Sequence, residues 1–323
     1  MALSPVMVVG GAGFLGAHVC RVLAQENRDV ICFDLQPPEL PLLQPVKGRG
    51  TVRFTQGNIL NPDALARSVK DSKVAGIVHT VAAGNEAAAR QAPYPAITLN
   101  VQGTLNVLEA VRTGDVSRFV YISTAGVYGK RKDETPVGEN EPITWRGTIY
   151  HPSHYMGEIL VEMYREVYGI NSVILRPLSI YGPALTTDRE QHLRKKSLFL
   201  GSWIEKAIRG ETVAITAADT VTDLTYIRDI AGAVSLAYPR QNQKQVVYNV
   251  SSGTLVTYRD IALAIKECVP GATFEFSPGV QDNPLRPNRG PLDISRARND
   301  LGYTPQYDLK QGMREFVEWS RGG

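Results

Sequence analysis

The stretch Val6–Gln25, "VMVVGGAGFLGAHVCRVLAQ", decides the fold. It opens on an apolar run, Val6 to Val9, short enough for a buried parallel strand. Gly10, Gly13 and Gly16 follow, and Val19, Val22 and Leu23 then recur at helical intervals. Strand, glycine turn and helix in this order read as a dinucleotide-binding unit. The first glycine permits the tight turn, the second lets the backbone approach a pyrophosphate, and the third lets helix and strand pack closely. The helix N-terminus then faces the phosphates with unbonded N–H groups and a partial positive charge.

The next run, "DVICFDL", ends in Asp34, 18 residues past Gly16. An acid there can accept from both adenosine ribose hydroxyls and would repel a 2′-phosphate. The following "LQPPEL" has no arginine or lysine to hold such a phosphate, which points to NAD rather than NADP. "TVRFTQGNIL" reads as a strand with Gly57 and Asn58 at its end, and "VAGIVHTVAA" as a buried strand ending in small residues at Ala82 and Ala83. "TLNVQGTLNVLEAVRTGDVSRFVYIST" reads as helix, then strand. The alternation predicts an α/β fold, a doubly wound parallel sheet with its ligand crevice at the strand C-termini.

With 323 residues, 43% hydrophobic and 21% charged, the chain is an ordinary globular protein of one large domain or two smaller ones. The net charge is only +3, and no basic run is interleaved with aromatics, which argues against nucleic acid as partner. "RKK" at Arg194 to Lys196 reads as solvated surface. Cys20, Cys32 and Cys268 lack CxxC spacing and read as small core hydrophobes in a reducing compartment. No apolar run reaches the ~18 residues of a membrane span, and the N-terminus lacks the charged start of a signal peptide. The expected setting is cytoplasmic, with a small-molecule substrate, no membrane and no metal site.

Several further motifs share one order and spacing: "GGAGFLG" (Gly10 to Gly16), "NVQGT" (Asn100 to Thr104), "ISTAGVYG" (Ile122 to Gly129), "YHPSHYMGE" (Tyr150 to Glu158), "LRPLSIYGP" (Leu175 to Pro183) and "DISRARNDLGYTP" (Asp293 to Pro305). On these, nearly the whole chain resembles the extended short-chain dehydrogenase/reductases, in their NAD-dependent epimerase/dehydratase branch. The resemblance implies a Rossmann domain over residues 1–176 and a smaller C-terminal substrate-binding domain over 177–323, some of whose segments return to the first. It implies NAD contacts at Phe14, Leu15, Ile59, Asn100 and Pro177, besides Gly10, Gly13, Gly16, Asp34, Asn58 and Ala82. Thr124, four residues before Tyr128 of "VYG", matches the family's catalytic hydroxyl, which hydrogen-bonds a substrate oxygen. Tyr150 matches its acid/base tyrosine. A phenol with a reference pKa of about 10 is a poor base near neutrality. The family lowers that value with the positive nicotinamide and with a lysine four residues on, which also holds the nicotinamide ribose.

That lysine is replaced here by His154, with "GE" (Gly157, Glu158) still in register. Lys130 and Lys132 do not substitute for it, since both fall in a loop after the "VYG" strand. A histidine with a reference pKa near 6.5 is mostly neutral at pH 7. Neutral His154 would donate one hydrogen bond to a ribose hydroxyl and supply no full charge. A charged His154, supported by Glu158 one turn on, is the less favoured alternative. In either state, Tyr150 and His154 are expected at both the catalytic and the cofactor site.

Thr222 precedes Asp223 where nucleotide-sugar members carry a phosphate-binding arginine, and Arg228 stands where the family often has a small or acidic residue. The segment Ala184 to Trp203, the family's substrate cover, offers Arg189, His192 and Arg194 as anion contacts, with plain surface solvation an equal reading. Tyr128 and Tyr181 are expected to shape the cleft, His79 to pack in the core, and Arg176 to tie the domains together. The helix from Met156 carries Ile159, Leu160, Met163 and Val167 on one stripe, and the resemblance implies a homodimer built by pairing helices into a four-helix bundle. The leading expectation is NAD-dependent oxidation or reduction at a secondary alcohol or ketone of a small polyhydroxylated or cyclic substrate. A sugar epimerase or dehydratase with tightly held NAD, and a non-catalytic cofactor-binding regulator or scaffold, are the alternatives.

Overall fold

The structure, a computed structural model, describes residues 5–39, 42, 50–129, 135–144, 148–186, 188–189, 192, 199–240, 245–281 and 290–322. Lys130, Lys132 and Arg194 to Lys196 lie outside them. Strands β1 (Val6–Val9), β2 (Val30–Asp34), β3 (Val52–Gln56), β4 (Gly76–His79), β5 (Arg118–Ile122) and β6 (Ser172–Pro177) join a strand at Val247–Val250 in one seven-stranded sheet. The order is Val247–Val250, β6, β5, β4, β1, β2, β3, with every pairing parallel. Both faces are covered, so β1 is wholly apolar and β4 and β5 carry a polar residue only at one end, His79 and Arg118. Val6, Val8, Val30, Cys32 and Val120 meet the helices Phe14–Gln25 and Ile227–Ala237. Met7, Val9, Ile31, Phe33 and Phe119 meet Pro62–Asp71, Gly103–Thr113 and Tyr150–Tyr168 on the other face. The strand order reverses at β1, between β2 and β4, which opens a crevice at the C-terminal edge.

A second core gathers Tyr181, Leu200, Ile204, Ile215, Tyr258, Ile265 and Phe316. It is built on the helices Leu200–Ile208, Tyr258–Cys268 and Leu309–Arg321. Capping boxes, Thr257 with Asp260 and Asp308 with Gln311, start the latter two helices. Phe14 and Leu15 pack against this second core, so the glycine turn lies where the lobes meet. The chain does not divide simply at residue 177: helix Ile227–Ala237 and strand Val247–Val250 belong to the sheet layer.

Two local expectations are corrected. The strand expected to end at Ala82 and Ala83 stops at His79, level with the end of its neighbour β1 at Val9. Thr80 marks the departure, its hydroxyl donating to the carbonyls of Val9 and Gly10 at 2.9 and 3.1 Å. The "VYG" segment is a 3-10 turn, Ala125–Tyr128, and not a strand. Thr124 starts it by accepting the Gly126 N–H at 3.1 Å.

Buried side chains expected at the cleft turn out to be internal ties. Tyr128 donates to Asn249 Oδ1 at 2.8 Å and accepts from Arg176 at 2.7 Å. Tyr181 packs against Tyr226 and Phe316. Arg176 pairs with Glu158 through Nε at 2.9 Å, so it ties β6 to the Tyr150–Tyr168 helix within one lobe and does not join the two. His79 packs in the core, Nε2 lying 3.1 Å from Thr104 Oγ1. Cys20 and Cys32 are buried. Among the described residues no helix is long and apolar enough to cross a membrane.

Candidate active site

The turn is shaped as a pyrophosphate cradle. Gly10 holds φ +84°, and a Cβ there would lie 2.8 Å from Thr80 Oγ1. A Cβ on Gly16 would fall 2.0 Å from the Gly10 carbonyl oxygen, so the helix could not pack down on the strand. Gly13, by contrast, has only the Gly10 oxygen nearby, at 3.1 Å, and leaves its outer side open. Phe14 begins the helix and no side chain caps it, which leaves its first N–H groups for a ligand. Asp34 stands at the end of β2 and accepts the Ala12 N–H at 3.0 Å and the Leu35 N–H at 2.7 Å. The acid is thereby fixed against the turn, where a ribose would lie next to the pyrophosphate.

Tyr150 is the first residue of the Tyr150–Tyr168 helix and is half-buried. Burial pushes its phenol up to about 12. The ring meets the His154 imidazole edge-on, centroids 4.6 Å apart. His154 is 3% exposed, and neither ring nitrogen has a hydrogen-bond partner. Its pKa is pushed down to about 3, by burial first and then by His151 and His79. Glu158 cannot support a charge on it, because that carboxylate is engaged by Arg176 and by the Ser123 hydroxyl. A buried imidazole with both nitrogens unmet is costly, and a ribose hydroxyl has the chemistry to meet one of them. Residues and cradle therefore fit NAD. Gly126 brings the Thr124 turn to the same helix: a Cβ there would lie 2.1 Å from the His151 ring, so only glycine lets the two approach.

The remaining expected contacts are spread along the C-terminal edge. Asn58 is exposed just beyond β3 and accepts the Leu60 N–H at 2.9 Å, while Ile59 is buried against Gly103. Ala82 is half-buried beyond β4, and Pro177 is the buried last residue of β6. Asn100 sits in a π-helical turn, Thr98–Gln102, a feature frequent at functional sites. Its side chain faces inward, accepting the Ala83 N–H at 2.8 Å and donating to Ser153 Oγ at 2.7 Å. His192 is a packed core group, 4.7 Å from Phe14 and 5.3 Å from Trp319, and is not an exposed anion contact. Arg228 is paired with Glu315. Asp223 is buried and accepts from the Ser251 and Ser252 hydroxyls, each at 2.7 Å. Among the described residues no group of His, Cys, Asp or Glu could hold a metal.

Residues 6–251 match the sequence profile of the NAD dependent epimerase/dehydratase family. The chain belongs to that family. It is 30% identical over 321 residues to a putative UDP-glucose 4-epimerase of Methanocaldococcus jannaschii, with 98% of each protein covered. It is 29% identical to the UDP-glucose 4-epimerase of Mycolicibacterium smegmatis, again over 98% of each. The UDP-glucose 4-epimerase of Thermotoga maritima, solved with UDP-glucose, superposes with a TM-score of 0.84 at 25% identity, over 98% of this chain and 99% of that one. The Thermus thermophilus UDP-glucose 4-epimerase, solved with NAD, gives 0.83 at 25% identity and 99% coverage of both. The protein is thus an NAD-dependent enzyme of the epimerase/dehydratase family with its Rossmann-type sheet. Motif reading missed Glu86, whose carboxylate accepts the N–H groups of Ile149 and Tyr150 at 3.0 and 2.9 Å. Nothing near Glu86 in the chain signals a contact made 64 residues away.

Proposed function

We propose that this family member oxidises a secondary hydroxyl of a nucleotide-linked sugar and then reduces the ketone from the opposite face, a 4-epimerase outcome. The observation that carries the reading is Tyr150 at the head of its helix, its ring against a buried imidazole with two unmet nitrogens. Held by these residues, NAD would supply reversible hydride acceptance from the carbinol carbon. Gly10, Gly13 and Gly16, with the N–H groups at Phe14 and Leu15, take the pyrophosphate. Asp34 takes the adenosine ribose, and His154 donates to the nicotinamide ribose. Thr124 positions the substrate oxygen, and Tyr150 removes its proton during oxidation and returns it during reduction. The sugar class is supported by the relatives described as UDP-glucose 4-epimerases.

The test is incubation with NAD and, in parallel, UDP-glucose, dTDP-glucose and unlinked sugars. Thr222 offers a hydroxyl where the family's arginine is expected, so the unlinked sugars belong in the panel. Proton NMR is expected to show the C4 epimer of UDP-glucose, with no NADH accumulating in solution. NADP should not replace NAD, since its 2′-phosphate would face Asp34. Stoichiometric NADH release would make the chain a dehydrogenase, and inertness toward every sugar would favour a cofactor-binding regulator.

We further propose that Met156, Ile159, Met163 and Val167 form a homodimer face. All four are exposed on the outer side of the Tyr150–Tyr168 helix, Val167 by 67%, while Leu160 is half-buried. An apolar stripe of this kind marks an interaction surface. Sedimentation velocity should return a dimer for the native chain and a monomer for Met163→Glu. A native monomer at micromolar concentration would sink the assignment.

A further inference from the structure

The Tyr150–Tyr168 helix is capped from elsewhere in the chain. Its N-cap, Ile149, has no side-chain acceptor, and its first turn contains no acid. An N-terminus of this kind leaves several N–H groups unmet. Glu86 supplies the missing acceptor. Its Oε2 lies 3.0 Å from Ile149 N and 2.9 Å from Tyr150 N, and its Oε1 lies 3.2 Å from Ile149 N. Glu86 is itself the first residue of a short helix, Glu86–Gln91, whose own N–H at Ala88 is met by Asn85 at 3.0 Å. That leaves its carboxylate to serve the neighbouring helix. Arg90, one turn on, holds the carboxylate from behind at 2.9 Å.

The opposite end of the same residue is tied to the same segment. The Tyr150 carbonyl accepts from Ser153 Oγ at 2.7 Å, and Ser153 Oγ accepts from Asn100 Nδ2 at 2.7 Å. Asn100 in turn accepts the Ala83 N–H at 2.8 Å. The N–H and the C=O of Tyr150 are therefore both anchored to the strap between β4 and the Gly103–Thr113 helix. Charge-assisted bonds to backbone N–H groups are roughly twice as strong as neutral ones, so the Glu86 end is the firmer anchor. A displacement of the tyrosine by about 1 Å can cost on the order of 10² in rate, which gives such an anchor catalytic weight.

We propose that Glu86 is a positioning residue: through its bonds to Ile149 and Tyr150 it holds the tyrosine ring in register with His154 and the Thr124 turn. The inference rests on Tyr150 being the acid/base group, but its test does not require turnover. Burial raises the Tyr150 phenol, so freeing the first turn should admit water and lower it. The phenolate band of Tyr150 is read as the ultraviolet difference between each protein and its Tyr150→Phe counterpart, with NAD bound. Glu86→Ala should move that titration down by about one pH unit, toward the ordinary tyrosine value. Glu86→Gln keeps an acceptor oxygen for Tyr150 N–H and should restore the native titration. If Glu86→Ala does not fold, Glu86→Asp, one methylene shorter and out of reach of the two N–H groups, makes the same test. With UDP-glucose as probe, Glu86→Ala should also lower kcat about 5–10-fold while KM stays within about twofold. An unmoved phenol titration in the folded Ala or Asp variant overturns the proposal. A moved titration, with Tyr150→Phe fully active, would leave Glu86 as anchor and overturn only the role of Tyr150.

Discussion

Tyr150→Phe is expected to lower kcat by about 10²–10⁴, the usual contribution of a positioned acid/base group. That loss corresponds to about 2.7–5.4 kcal/mol of transition-state stabilisation. The replacement deletes one oxygen and leaves the ring against His154, so the helix head should keep its packing. NAD affinity, read by fluorescence quenching, should change by no more than a few-fold, because the cradle and Asp34 are untouched. The phenol stands high, pushed up to about 12 by burial, so the group has much to lose from any added desolvation and much to gain from a nearby cation. A phenylalanine variant turning over at the native rate would mean that some other group moves the proton.

His154→Lys is expected to raise the rate at neutral pH by roughly tenfold or more. The sign follows from the two titrations. In the oxidative direction the useful form of Tyr150 is the phenolate, so kcat rises with pH toward a value held high by burial. A lysine cation one turn away favours the phenolate, lowers that value and moves the rising limb to lower pH. Lowering the phenol pKa by about one is worth about 1.4 kcal/mol, or roughly tenfold in phenolate at a fixed pH. His154 cannot make that contribution, since burial holds it neutral until about pH 3. Native enzyme should accordingly show no falling limb that belongs to His154 anywhere above about pH 5. The measurement is kcat against pH for native, His154→Lys and His154→Gln enzymes on one substrate. A falling limb present in the native profile and absent from both variants would establish a charged histidine and reverse the assignment.

The sheet was readable because its signals are local. Val6–Val9, the glycines and the pattern of the following helix lie within one stretch, and buried parallel strands declare themselves as unbroken apolar runs. Asp34 at the end of β2 and Tyr150 at the head of its helix could be placed for the same reason, each lying at a fixed offset from a motif. What failed to show was whatever depends on distant partners. Arg176 and Tyr128 carry chemistry in principle, but they face each other and Glu158 in the interior, a pairing no spacing predicts. Asn100 reads as a cofactor contact from its motif, and its bonds to Ala83 and Ser153, which no spacing predicts, take one donor and one acceptor of its amide. The Glu86 cap is equally hidden, because helix-start rules look for an acceptor beside the helix and this one arrives from a distant part of the chain.

The late arrival of the seventh strand bears on how the chain is made. When residue 177 has been synthesised, the residues of six strands exist, and the outer edge of β6 lacks its partner along Val173, Ile174 and Leu175. The strand that covers it begins at Val247, 70 residues later, and pairs Val247 with Ile174 through Val250 with Pro177. An open edge of that kind is a template for pairing with another chain. The nascent sheet thus stays sticky on one side while the whole intervening segment emerges, and its last seam closes only through a long-range, entropically slow contact.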